Sequence, residues 1–169
     1  GRNGRLRGGS HGRGNGPVER VLFLPEASEA FLPGPWALRR GPVPLPEDPS
    51  RWPAVDVFIP TYDEPLEVVR ATVLAARALD WPTSKLAIHL LDDGRRTAFR
   101  EFAARAGVGY VVRANNAHAK AGNLNHALAR TRGEFVAVFD CDHVPNRAFL
   151  QLTMGWFLRD QRISVVQTP

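Results

Sequence analysis

Cysteines, long apolar runs and secretion signals are scarce or absent in this sequence of 169 residues. The single cysteine, Cys141, excludes an internal disulfide and a zinc site built from cysteines. A membrane helix needs roughly 18 consecutive apolar residues, and no stretch of the sequence approaches that length. No signal-peptide pattern occurs either. We therefore expect no transmembrane helix within this chain and no fold that depends on disulfides.

Acidic residues are missing from the start of the chain, where the positive charge is concentrated. The net charge is +5, and residues 1–16 contain four arginines and no acidic residue. This segment is a low-complexity mixture of Gly and Arg, which predicts a disordered tail. Such a tail can bind RNA or an acidic membrane surface, but it has no aromatic residues for base stacking. Because the rest of the chain is close to neutral, we expect no nucleic-acid partner.

Proline is dense in residues 17–54, as in P-V-P-L-P at 42–46. Proline removes backbone donors that helices and central strands need, so we predict an extended linker that packs along the domain surface. From residue 55 onward, apolar runs alternate with segments of helical periodicity. The predicted strands are 55–60, 86–91, 108–112, 135–139 and 163–168. This alternation predicts an open, mostly parallel α/β sheet over residues 55–169.

Polar side chains follow several predicted strands, and parallel strands bring their carboxyl ends to one edge of a sheet. Asp140 and Asp142 come after a buried strand, where alternation places them on one side and Cys141 on the other. Two such carboxylates suit Mg²⁺ or Mn²⁺. Lys120 begins a predicted helix, whose free N–H groups favour an anion. Together these features predict a nucleotide-diphosphate site.

Five sequence blocks carry a resemblance to a known family. In chain order they are V-D-V-F-I-P-T-Y-D-E-P, L-L-D-D-G-R-R, H-A-K-A-G-N-L-N-H-A-L, F-D-C-D-H-V-P and V-Q-T-P. The set resembles the processive glycosyltransferases of family 2, and within them the bacterial cellulose synthases, over roughly residues 38–169. D-D-G or D-x-D alone is common, but the third block between them makes the set specific. No glycine-rich dinucleotide fingerprint follows the first strand, and no P-loop motif occurs.

The resemblance implies a GT-A fold whose donor site takes UDP-glucose and Mg²⁺ or Mn²⁺. The residues it assigns to the nucleotide sugar are Thr61, Tyr62, Asp63, Glu64, Asp92, Asp93, Lys120, Asn123 and His143. In this assignment Asp93, with Asp92, accepts a hydrogen bond from the uracil, and Lys120 contacts the diphosphate. Asp140 and Asp142 hold the metal, which neutralises the departing UDP. Structural roles stay open for Asn123, as a partner of loop backbone groups, and for His143, as a solvated loop residue.

For a parent protein, the resemblance implies transfer of glucose from UDP-glucose to a growing β-1,4-glucan with inversion. It further implies a bacterial inner-membrane protein with this domain on the cytoplasmic side, a periplasmic partner subunit and a domain that senses cyclic-di-GMP. The general base would lie in a T-E-D motif and the glucan end at Q-x-x-R-W. Neither motif occurs here, so we assign no catalytic residue with certainty and expect the general base beyond Pro169. We expect the chain to be a piece of a longer protein, able to bind UDP and a divalent ion but not to polymerise glucose.

Two alternatives remain open at the level of sequence. One is a related processive synthase that makes mannan, a β-1,3-glucan or hyaluronan, because the uridine and metal residues would look alike. The other is a non-catalytic fragment whose basic tail binds nucleic acid or a membrane surface.

Overall fold

The structure, a computed structural model, describes residues 21–23 and 41–168, so the predicted tail at 1–16 and the last residue, Pro169, lie outside the described residues. The described strands are β1 (Val21–Phe23), β2 (Val55–Thr61), β3 (Leu86–Asp92), β4 (Gly109–Val111), β5 (Phe135–Val138) and β6 (Val165–Gln167). The described helices are α1 (Leu66–Arg77), α2 (Thr97–Ala106), α3 (Ala119–Leu128) and α4 (Phe149–Arg159). The strands form one parallel sheet in the order β4-β3-β2-β5-β1-β6, which confirms the predicted fold class.

Strand β2 is buried along its whole length and supplies side chains to both faces of the sheet. On one face, Val57 and Ile59 pack in a core cluster with buried residues of α1, α2 and α4. On the other face, Phe58 packs in a smaller cluster with Ala127 of α3. Side chains alternate along a strand, so the apolar run 57–60 within β2 requires cover on both faces. None of the helices in the described part of the chain combines the length and apolar character needed to cross a membrane.

The register of β2 brings three strand ends together. β2 pairs in parallel with β3, and Thr61 lies opposite Asp92 at the last position of the ladder. On its other side β2 pairs with β5, and the Phe139 N–H donates to the Phe58 carbonyl at 3.0 Å just beyond β5. The segments that follow β2, β3 and β5 therefore start at one edge of the sheet.

The predicted linker at 17–54 contributes a strand to the interior of the sheet. Residues 21–23 form β1, which lies between β5 and β6. The prediction missed this strand because three residues are too few to show a period of two. Residues 41–54 do follow the domain surface, and the ring of Trp52 lies 4.6 Å from that of the buried Trp81, centroid to centroid.

Gly155 of α4 offers a test of how the proline-rich segment packs. A Cβ on Gly155 would lie 1.9 Å from the carbonyl oxygen of Val43. In an open helix Gly→Ala stabilises by about 1 kcal/mol, whereas overpacking a tight contact costs about 1–3 kcal/mol. We expect Gly155→Ala to lower the free energy of unfolding in urea by about 1–3 kcal/mol. Gly41→Ala serves as the control, because a Cβ on Gly41 would have nothing within 4 Å. A Gly155→Ala protein that is more stable than the unaltered protein would show that Val43 does not pack against α4.

Candidate active site

A pocket of about 770 Å³ lies at the edge where β2, β3 and β5 end. Strand ends and the first turn of α3 form its walls. The lining residues are Pro60, Thr61, Tyr62, Glu64, Asp93, Asn116, Ala119, Lys120, Asn123, Asp140, Cys141, Asp142 and His143. The structure thus brings together all the predicted donor-site and metal-site residues except Asp63 and Asp92.

The general base is the one predicted catalytic group that the structure does not place. We expect this base beyond Pro169, and Pro169 itself lies outside the described residues. The expectation about the base stays a prediction.

Glu64 organises the loop that follows β2. Its carboxylate accepts hydrogen bonds from the Thr61 hydroxyl at 2.7 Å and from the Tyr62 backbone N–H at 2.8 Å. Burial opposes ionisation of Glu64, but these hydrogen bonds outweigh it and hold the pKa of the carboxyl below its usual value. The Tyr62 side chain is 59% exposed at the pocket, whereas Asp63 is exposed outside it. The loop therefore presents a tyrosine ring and an ionised carboxylate to the pocket.

Asp93, after β3, is paired with a buried arginine. Arg113 Nε donates to Asp93 Oδ1 at 2.7 Å, and Arg113 Nη2 donates to Asp93 Oδ2 at 2.6 Å. Both side chains are 6% exposed. Hydrogen bonding to Asp93 raises the pKa of Arg113, so the guanidinium stays charged. This two-pronged contact fixes the orientation of the carboxylate at the pocket wall.

The structure does not bring Asp92 to the pocket, contrary to the role assigned to it beside the uracil. Its fully buried carboxylate accepts hydrogen bonds from the backbone N–H groups of Gly94 and Arg96, from the Arg96 guanidinium and from the Tyr110 hydroxyl. Burial, and then the neighbouring Asp92, raises the pKa of Tyr110 to about 12. These hydrogen bonds hold the turn after β3 in place. Because they occupy both oxygens of Asp92, neither oxygen is available to a ligand.

The start of α3 has unusual backbone geometry. His118 and Ala119 have φ angles of 61° and 43°, in a left-handed region that non-glycine residues rarely adopt. Lys120 follows directly, and its ammonium group forms an ion pair with Asp140 Oδ1. One turn later Asn123, which is 2% exposed, donates from Nδ2 to the Leu91 carbonyl at 3.1 Å. Helix α3 is thus joined to the ends of both β3 and β5.

The end of β5 departs from the predicted strand alternation. The strand ends at Val138, and Asp140 to His143 form a turn in which the His143 N–H donates to the Asp140 carbonyl at 3.0 Å. Asp140, Cys141 and Asp142 consequently all line the same pocket. Burial, followed by the nearby Glu64 carboxylate, raises the pKa of the Cys141 thiol to about 12. The thiol stays protonated at neutral pH, which makes it a poor nucleophile.

Three side chains at the pocket carry buried polar atoms without hydrogen-bond partners in the described part of the chain. These atoms are Oδ1 of Asn116, Oδ1 of Asn123 and Nδ1 of His143. Buried polar atoms in proteins are nearly always partnered. Three unpartnered atoms around one pocket indicate that it is built for a polar ligand. Within the same described residues, no group of three or more His, Cys, Asp or Glu side chains is arranged to hold a metal ion.

Sequence reasoning missed Arg113 and Asn116, which help to fix Asp93. Asn116 Nδ2 donates to the Asp93 carbonyl at 3.2 Å, beside the ion pair with Arg113. Both residues lie in the loop between β4 and α3, where the sequence has no periodicity to exploit. The only signal was a run of polar residues directly before Lys120.

The comparison with protein families identifies the domain. Residues 56–169 match the profile of "Glycosyl transferase family 2". The chain belongs to glycosyl transferase family 2. This match extends over β2 to β6 and therefore includes every element that lines the pocket.

The chain is also similar to curated bacterial proteins. It is 63% identical over 134 residues to the UDP-forming cellulose synthase catalytic subunit of Xanthomonas axonopodis pv. citri (strain 306), covering 79% of this chain and 18% of that protein. The corresponding subunit of Pseudomonas fluorescens (strain SBW25) is 59% identical over 134 residues, which again cover 79% of this chain and 18% of that protein. Cellulose synthase 1 of Komagataeibacter xylinus is 56% identical over 132 residues, 78% of this chain and 8% of that protein. The chain thus spans about a fifth or less of these relatives.

Solved structures support the same fold. The mannosyltransferase PcManGT from Pyrobaculum calidifontis, in complex with GDP-Man and Mn²⁺, is 25% identical with a TM-score of 0.58, covering 70% of this chain and 36% of that chain. S. aureus TarS 1–349 in complex with UDP-GlcNAc is 19% identical with a TM-score of 0.55, covering 64% of this chain and 32% of that chain. The domain therefore has the GT-A fold.

The structural role of Asp92 can be tested by denaturation. Asp92→Asn removes the charge that compensates Arg96 in a buried pair, and breaking such a pair costs about 3–5 kcal/mol. We expect a loss near the lower end of that range in urea unfolding, because Arg96 is partly exposed. Asp63→Asn, at an exposed position, should change stability by no more than about 0.5 kcal/mol. Equal stability of the two variants would contradict the role given to Asp92.

Proposed function

We propose that the pocket binds the UDP group of UDP-glucose with a divalent cation, and that the chain is the donor-binding part of a cellulose synthase. The observation that carries this proposal is the pocket itself, which unites Asp93, Lys120, Asp140 and Asp142 from three separate sequence blocks. The relatives named cellulose synthase catalytic subunit, at 59–63% identity, support the choice of donor.

The base side of the proposed site is formed by Tyr62 and Asp93. Each Asp93 oxygen accepts one hydrogen bond from Arg113 and has a second lone pair free for an N–H donor such as that of uracil. The exposed Tyr62 ring offers an apolar surface beside it. These features suit a planar base that carries an N–H group.

The phosphate side is formed by Lys120 and the first turn of α3. The Lys120 ammonium and the free N–H groups at the helix start supply positive charge where a diphosphate would lie. Lys120 is 47% exposed at its side chain, so it can exchange Asp140 for a phosphate oxygen at little desolvation cost. Asn123 lies on the same helix, and its unpartnered Oδ1 is suited to a sugar hydroxyl.

Asp140 and Asp142 fit a divalent cation in the chemistry of their donor atoms. Carboxylate oxygens suit Mg²⁺ and Mn²⁺ equally, and both residues line the pocket. Two side chains do not complete the coordination of either ion, so diphosphate oxygens and water would supply the remaining ligands. The cation would offset the negative charge of the UDP leaving group. His143, in the same turn, would hydrogen-bond to phosphate or to metal-bound water.

The reaction proposed for the whole protein is the transfer of glucose from UDP-glucose to the end of a growing β-1,4-glucan, with inversion. That step requires a general base for the acceptor hydroxyl, and we assign no pocket residue to this role. We place the base and the glucan site beyond Pro169, in the T-E-D and Q-x-x-R-W motifs expected in the parent protein. Its location at the bacterial inner membrane, its periplasmic partner subunit and its response to cyclic-di-GMP belong to the same proposal.

A second candidate is a synthase that uses a different nucleotide sugar. The similarity to a mannosyltransferase in complex with GDP-Man and Mn²⁺ favours this candidate, because the metal and phosphate residues would be shared. The two candidates would then differ in the base that Tyr62 and Asp93 accept, which is uracil in the first candidate and guanine in the second.

The metal claim is tested by calorimetry with UDP and Mg²⁺. We expect Asp142→Ala to weaken UDP binding at least about tenfold, or about 1.4 kcal/mol, because the cation loses one of two protein ligands. Asp160→Ala, which removes a carboxylate at the end of α4 outside the pocket, is the matched control and should bind normally. Equal binding by both variants would remove Asp142 from the site.

The choice of nucleotide is tested by titrating UDP and GDP in the presence of Mg²⁺. We expect UDP to bind at least about tenfold more tightly, because a hydrogen bond to a charged group contributes about 1.5–3 kcal/mol only when the donor is well placed, and the N–H groups of guanine lie on a larger ring than that of uracil. Asp93→Asn should reduce this preference because an amide cannot present two acceptor oxygens. Tighter binding of GDP would favour the second candidate.

A further inference from the structure

We propose that Arg113 is a positioning residue that joins the base side and the phosphate side of the pocket into one unit; this inference rests on the proposed nucleotide-sugar function. Arg113 does not line the pocket itself. Its effect would be exerted through Asp93 and through the loop that carries Lys120.

The Arg113 guanidinium contacts both sides at once. Besides its two hydrogen bonds to Asp93, it donates from Nη1 to the Ala117 carbonyl and from Nη2 to the Ala119 carbonyl at 2.8 Å. The residue is only 8% exposed, and its bonds to Asp93 are buried whereas those to the two carbonyls are partly buried. The planar fork of an arginine can satisfy a carboxylate and two carbonyls together, which a lysine ammonium cannot do in this geometry.

The loop that Arg113 holds is strained. His118 and Ala119 both adopt left-handed backbone conformations. For non-glycine residues such conformations persist only where surrounding contacts impose them. The described contacts of this kind are the two carbonyl bonds to Arg113 and the bonds from Ala119 N–H to Asn116 O at 3.1 Å and from Gly122 N–H to His118 O at 3.0 Å. Without Arg113, the loop loses the contacts to Ala117 and Ala119.

The close packing around Gly122 in α3 independently supports the role of Arg113 in holding this loop. A Cβ at Gly122 would lie 2.1 Å from the Ala117 carbonyl oxygen and 2.5 Å from Arg113 Nη1. Only glycine leaves space for the loop to approach the helix while the guanidinium lies between them. A side chain at position 122 would therefore displace Arg113 or Ala117 without changing the chemistry of the Asp93 side chain itself.

The consequence concerns both halves of the ligand. Asp93 faces the proposed base position, and Lys120 directly follows the strained Ala119 at the proposed phosphate position. Loss of Arg113 should release the orientation of Asp93 and relax the loop before Lys120 together. By contrast, a residue that only supports Asp93 would affect recognition of the base alone.

The test measures binding of uridine, inorganic diphosphate and UDP by the chain in the presence of Mg²⁺. We expect Asp93→Asn to weaken uridine but not diphosphate, and Lys120→Ala to weaken diphosphate but not uridine. Arg113→Met should weaken both partial ligands at least threefold and UDP at least tenfold. Gly122→Ala should show the same double loss although it leaves both Asp93 and Lys120 in the sequence.

Controls separate this role from general destabilisation. Arg147→Met removes an arginine whose ion pair with Asp80 is exposed, and it should leave all three affinities unchanged. Each protein is titrated well below its melting temperature. If Arg113→Met does not fold, Arg113→Lys and Gly122→Ala decide, because lysine keeps the charge but not the planar fork.

The outcomes are distinct. Normal binding by the Arg113 and Gly122 variants, or loss of uridine alone, overturns the linking role while leaving the proposed function intact. Failure of the unaltered chain to bind UDP overturns the proposed function, and the inference falls with it. A double loss in both variants supports the proposal.

Discussion

The parallel pairing of β2 with β3 and β5 is the constraint on which the site depends. Because the register sets Thr61 opposite Asp92 and Phe58 opposite Val138, the segments after all three strands begin at one edge. A one-residue slip of a strand exchanges its two faces. Such a slip in β2 would remove Phe58 from its cluster under α3. The packing that stabilises the core therefore also fixes the positions of the loops that line the pocket.

Three of the carboxylates at this edge are paired with cations. Asp92 is compensated by Arg96, Asp93 by Arg113 and Asp140 by Lys120. The three pairs differ in exposure, and that difference separates their roles. The first two pairs contain buried carboxylates that stabilise the turn and orient an acceptor, whereas the exposed Lys120 can exchange partners at little cost. Stability and the proposed ligand binding thus depend on neighbouring residues at one edge of the sheet.

The sequence was sufficient to predict the fold class and most of the pocket. Alternating apolar runs located the main strands, and acidic residues after β2, β3 and β5 marked the edge where the pocket lies. It was not sufficient to separate Asp92 from Asp93, because adjacent acidic residues look alike until their partners are known. Those partners, Tyr110 and Arg113, lie 18 and 20 positions away and are brought close only by the sheet. The short strand β1 and the turn at Asp140 escaped prediction because strand ends depend on tertiary contacts rather than on local pattern.

The central claim is that one pocket holds a nucleotide diphosphate between Asp93 and the Asp140–Asp142 turn. The most direct measurement is a crystal structure of the chain with UDP and Mn²⁺, in which anomalous scattering locates the metal. We predict the uracil beside Asp93, the diphosphate beside Lys120 and the first turn of α3, and the metal between the diphosphate and the carboxylates of Asp140 and Asp142. A metal bound elsewhere, or a uracil ring away from Asp93 with Arg113 still paired as described, would contradict the account.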